Sequence, residues 1–131
     1  MTAMKEFEQA LFSYAKARGW ENPRPGDLAK SISIEAAELL EHFQWGDPDI
    51  GAVLADKEKR TQVEKELADV MIYCFQLSML MKLDTEKVLR KKLAAVKKKY
   101  PAKLVRKKGS KPEKEAAYWR IKKEHRMKGL S

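Results

Sequence analysis

Residues 35–45 read EAAELLEHFQW. Ala, Leu and Glu dominate, neither Gly nor Pro interrupts, and the composition favours a helix. Glu35 and Glu38 are three residues apart, so they project from one face about one turn apart. Glu41 extends the series by another turn. Residues 66–75, ELADVMIYCF, repeat the pattern with Glu66 and Asp69. Like charges at that spacing repel, and acids are scarce in runs as apolar as these unless something holds them.

Outward from these two stretches the chain reads as helices. A first helix is predicted over about Lys5–Arg18, with Phe7, Leu11, Tyr14 and Ala15 at helical spacing and Gly19 as its stop. The loop WENPRPG (20–26) follows, and Asp27 is the expected N-cap of a second helix over Leu28–Trp45. GDPD (46–49) ends that helix, and residues 50–60 are ambiguous. A third helix is predicted over Thr61–Met81. Its Val70–Leu77 portion is apolar nearly all round, so it should be buried on most sides. A fourth runs from Asp84 or Thr85 to about Lys99, before Pro101. No strand is legible. Four helices with short connections predict an all-α fold, a four-helix bundle. The apolar excess on the third helix exceeds what one chain can cover, so oligomerisation should complete the bundle.

The net charge of +9 is unevenly placed. Residues 1–96 hold 14 Lys/Arg and 16 Asp/Glu, whereas residues 97–131 hold 14 Lys/Arg and 3 Glu. Two segments follow from this: a helical domain over 1–106 and a basic C-terminal extension over 107–131, helical or partly disordered. Within the extension, Gly109-Ser110-Lys111-Pro112 reads as a linker and Glu113–Met127 as a basic amphipathic helix carrying Tyr118, Trp119 and Ile121. Such a tail attracts polyanions, nucleic acid among them. A single cysteine, Cys74, excludes an internal disulfide and suits a reducing, cytoplasmic setting. Neither a signal peptide nor a membrane-spanning run is expected.

The acids decide the chemistry. If the second and third helices pack antiparallel, Glu35 and Glu38 face Glu66 and Asp69. Four carboxylates brought together repel and lose hydration, and a hard divalent cation removes that conflict. Mg²⁺ prefers oxygen donors and is commonly shared with substrate phosphates. The absence of a paired histidine argues against zinc or a typical di-iron site. His42 reads as a helix-surface residue. By spacing alone Trp45 and Tyr73 read as core.

EAAELLEHFQW, then ELADVMIYCFQLS (66–78), then KKKYPAKL (97–104) closely resemble the MazG-like, all-α nucleoside triphosphate pyrophosphohydrolases, nearest to the small dCTP-pyrophosphatase branch. The resemblance spans about Phe7–Leu104. It implies a homodimer or homotetramer and Mg²⁺-dependent hydrolysis of (deoxy)nucleoside triphosphates to monophosphate and pyrophosphate. It makes Glu35, Glu38, Glu66 and Asp69 metal ligands, and the chemistry of an attacking water then asks for a catalytic base, Glu38 or Glu41. It makes Trp45 and Tyr73 base-pocket residues, and Trp20, Arg24, Lys99 and Tyr100 further substrate contacts. Val96 stands where the family's K-x-x-N-x-x-K-Y-P element has Asn, and Gly26 and Asp27 replace the usual basic residue and Asn. Two rival classes are a nucleic-acid-binding module using the tail and a non-catalytic, nucleotide-binding helical scaffold.

Overall fold

In the computed structural model, residues 1–106 and 111–129 are described. They form seven helices, with no strand among them: α1 (Ala3–Lys16), α2 (Pro25–Gln44), α3 (Ile50–Ala55), α4 (Lys57–Leu80), α5 (Thr85–Lys99), α6 (Ala102–Val105) and α7 (Lys111–Met127). The chain divides into two compact units, Met1–Thr85 and Glu86–Ser131.

Short polar residues set most boundaries in the first unit. Thr2 Oγ1 accepts from Lys5 N at 3.3 Å and starts α1. Gly19, at φ +69°, takes the left-handed turn that ends it. The second helix begins three residues earlier than Asp27 would have it. Arg24 is its N-cap and Pro25 occupies the first helical position, where a missing N–H costs nothing. Asp27 lies in the first turn, where its charge complements the helix dipole. The ambiguous stretch 50–60 resolves into α3 and the start of α4. Asp49 Oδ1 accepts from Ala52 N at 2.9 Å, and Asp56 Oδ1 from Lys59 N at 3.0 Å. Two caps one short helix apart explain why α4 starts four residues before Thr61.

The main pairing in this unit is α2 against α4, with α1 and α3 also on α4. Phe7 of α1 meets Phe75 of α4 edge to face, with ring centres 5.5 Å apart. In the last turn of α4, Ser78 Oγ lies 2.7 Å from Thr85 Oγ1, and Thr85 also bonds Glu8 of α1. The buried side chains here are Leu11, Ala15, Leu28 and Val53. None belongs to α4. The expectation that α4 is buried on most sides therefore fails within a single chain. Leu67 and Met71 are 46% and 51% exposed, and Cys74 continues the same face. On α2, Ile34 and Leu40 are also open to solvent.

In the second unit, α6 packs on α7 and Ile121 is buried. Lys111 and Pro112, expected in a linker, open α7 instead, with Pro112 early in the first turn. Gly109 and Ser110, the rest of that expected linker, lie outside the described residues.

Candidate metal centre

Glu35, Glu38 and His42 recur at three- and four-residue intervals and so share one face of α2. Glu66, Asp69 and Tyr73 do the same on α4. The structure sets these faces against each other. Glu35, Glu38 and Glu66 each bring a carboxylate oxygen within 4.8 Å of the other two, and all three are half-buried. His42 Nε2 is 4.0 Å from Glu66 Oε1, while Asp69, one turn further along α4, acts on Glu35, one turn or more back along α2. Residue numbers thus rise along one helix as they fall along the other, which makes the pair antiparallel.

Asp69 is exposed and stands outside the three-residue group, although its charge is felt at Glu35. Glu41 is exposed and also outside it. His42, expected on the helix surface, is half-buried against Glu66 because position 42 is one turn beyond Glu38 on the same face. A lone histidine without a ligand partner gave no sequence signal. Its i+4 relation to Glu38 was the clue.

The acids strain one another electrostatically. Partial burial raises the Glu35 carboxyl above its ordinary value of 4.5, and a hydrogen bond with Glu38 raises it further. The charges of Glu38, Asp69 and Glu66 add to the effect. The folded chain therefore binds this proton more tightly than the unfolded chain does. Between 4.5 and the raised value, stability falls as pH rises, and below 4.5 the penalty vanishes. In chelator, Glu35→Gln is expected to melt at the same temperature as wild type near pH 4 and above it at neutral pH. Thermal melts across that range check this, and a difference independent of pH contradicts it.

The donor chemistry fits a hard divalent ion. It is all carboxylate, apart from one imidazole at the edge, with no thiol near enough to join. A cation there would relieve the crowding that raises Glu35.

Beside the acids, α1, α2 and α4 enclose an open cavity of about 620 Å³. Asp69, Tyr73 and Gln76 of α4 line one side, and Trp20, Tyr14 and Ser31 line others. Trp20 meets Tyr14 edge to face at 6.1 Å. Gln76, Ser31 and Tyr14 were not anticipated, yet Gln76 lies on the helix face of Asp69 and Tyr73. Trp45 does not line this cavity. It caps the end of α2 in extended conformation, 80% exposed, so its reading as core is wrong. Arg24 is exposed at the N-cap of α2. Lys99 and Tyr100 belong to the second unit. There Lys99 Nζ lies 5.5 Å from the Tyr100 ring centre, and Tyr100 stacks on Tyr118.

No helix of the described residues is long and apolar enough to cross a membrane. No curated protein matches this chain. Among solved structures it is similar to a pyrophosphatase from Archaeoglobus fulgidus DSM 4304. The two are 34% identical with a TM-score of 0.67, over 77% of this chain and 94% of that one. The MazG-like family model matches residues 30–125, a span that takes in both acidic helix faces and continues into α7. On that match, over well more than half its length, the chain belongs to the MazG-like family.

Proposed function

We propose that this protein is a nucleotide pyrophosphohydrolase that cleaves (deoxy)nucleoside triphosphates to monophosphate and pyrophosphate with Mg²⁺, acting as a homo-oligomer in the cytoplasm. The observation that carries the reading is the convergence of Glu35, Glu38 and Glu66 within 4.8 Å, with Asp69, whose charge acts on Glu35, lining a cavity of about 620 Å³. Family membership and the similarity to a pyrophosphatase support the same chemistry.

Glu35, Glu38, Glu66 and Asp69 would hold the ion. Magnesium, when bound, supplies positive charge against the phosphate oxygens, which otherwise repel an incoming water. Glu38 is the better base. It lies inside the cluster, whereas Glu41 is exposed outside it. Its carboxylate takes the proton as water oxygen bonds to the α-phosphorus. The bond from that phosphorus to the bridging oxygen breaks, and pyrophosphate leaves with the electron pair. Arg24 and Lys30 are candidate donors to the outer phosphates. Tyr73 is one turn beyond Asp69 and lines the cavity, so it stacks on a base whose phosphates face the acids. Trp20 closes another wall. Trp45, fully presented to solvent, meets the base from outside the cavity or through a second copy of the chain.

The cavity's polar wall, with Gln76, Ser31 and Asp27, suits a base with both donor and acceptor groups on its edge. Every nucleobase has such an edge, so the preference for cytosine or a modified pyrimidine comes from the resemblance to the dCTP-pyrophosphatase branch. A panel of dCTP, dUTP, dTTP and dATP with Mg²⁺ and pyrophosphate detection tests the assignment. Turnover is expected to be highest with dCTP or a modified pyrimidine, and lost in chelator. Release of orthophosphate instead of pyrophosphate, or no turnover of any triphosphate, contradicts it.

A further inference from the structure

The second unit carries a feature that triphosphate hydrolysis does not use. Residues 86–131 hold eighteen Lys/Arg against four Glu, while residues 1–85 hold ten Lys/Arg against fifteen Asp/Glu. The second unit therefore carries a formal net charge of +14, with Glu86 paired to Arg90 at 2.7 Å. That density draws polyanions.

The aromatic side chains narrow the choice among polyanions. Tyr100 and Tyr118 stack with ring centres 5.1 Å apart and planes 15° apart. Trp119 meets Tyr118 edge on at 5.5 Å and is itself 56% exposed. Lys122 Nζ lies 4.8 Å from the Trp119 ring centre and 5.6 Å from that of Tyr118. Positions 118, 122 and 126 are successive turns of one α7 face, so Arg126 prolongs the cationic row past the rings. Rings that offer a flat face beside cations are how single strands are held: bases stack and phosphates follow the charge. Paired bases in a duplex hide their faces from such rings. A lipid surface would need a broad apolar face on α7, and there Ile121 is turned inward and buried.

We propose that α7, together with Tyr100, forms a docking site for single-stranded nucleic acid, with bases stacking at Trp119 and Tyr118 and phosphates tracking Lys122, Lys123 and Arg126. This site is independent of the pyrophosphohydrolase reading.

Fluorescence anisotropy with the full chain and labelled oligo(dT) and oligo(U) of about 20 nucleotides tests it, in salt from about 50 to 300 mM. Both strands are expected to bind at low salt, with the logarithm of the affinity falling linearly in log salt. A preference for either one supports the site and names its strand. Trp119→Ala is expected to weaken binding about tenfold at fixed salt, while Trp119→Phe keeps most of it. Lys122→Ser with Arg126→Ser is expected to shrink the salt slope by about 1.4. The proposal is overturned if neither strand binds at low salt. It is also overturned if Trp119→Ala and Trp119→Phe behave alike, or if a duplex or phosphatidylserine vesicles bind more tightly than the single strands.

Discussion

Glu38→Gln is expected to lower pyrophosphate release by about 100-fold or more, with the melting temperature in chelator unchanged or raised. The size follows from two losses at one atom. A neutral amide gives up a charged oxygen donor to the cation, and it cannot accept the proton of the attacking water, a role worth about 10²–10⁴ in rate. The stability prediction has the opposite sign, because removing one of several crowded negative charges relieves the field that raises Glu35. That divergence separates a catalytic loss from unfolding. Asp69→Asn should lower turnover comparably, because its charge reaches Glu35 although its carboxylate stands just outside the tight group. Glu41→Gln is expected to cost less than about tenfold, as its carboxylate is exposed and outside the cluster. Full activity of Glu38→Gln, or a larger loss with Glu41→Gln, would contradict these roles.

The second large effect concerns assembly. Leu67, Met71 and Cys74 mark one exposed face of α4, a helix that its own chain covers only in part. At 100° per residue that face lies more than a quarter turn from the Glu66–Asp69–Tyr73 face, so it can be covered without obstructing the acids. We propose a second copy as the cover. Burying a large apolar side chain contributes about 1.5–3 kcal/mol, and a symmetric interface counts each residue twice. Replacing Leu67 and Met71 with Asp removes that gain and sets like charges against one another. Light scattering is expected to show wild type at a multiple of 15.1 kDa and Leu67→Asp/Met71→Asp close to 15.1 kDa, with a marked fall in melting temperature. A wild-type monomer would contradict the proposal.

Both effects trace to patterns visible in the sequence, but not equally. The acid pairs were legible because a three-residue interval fixes a shared helix face whatever the tertiary structure. Which carboxylates approach most closely was not, since the axial offset of α2 against α4 decides that. The offset brings Glu66 into the group and leaves Asp69 at its edge. His42 was misread because a single imidazole has no partner spacing, and only its position one turn past Glu38 told of the neighbour it would meet. The start of α2 was misplaced because Asp27 suits both a cap and a first turn, and Pro25 settled the choice. Apolar periodicity on α4 foretold burial without saying whose surface provides it. Trp45 gave no sign that the helix would end beneath it and leave the ring in solvent.

The central proposal is that oxygen donors from two antiparallel helices share one divalent ion, and anomalous diffraction from crystals grown with Mn²⁺ tests it most directly. The expected result is a peak about 2.0–2.3 Å from carboxylate oxygens of Glu35, Glu38, Glu66 and Asp69, lost in Glu38→Gln crystals. A peak held by other residues, or these four side chains turned apart with no peak between them, would contradict the account.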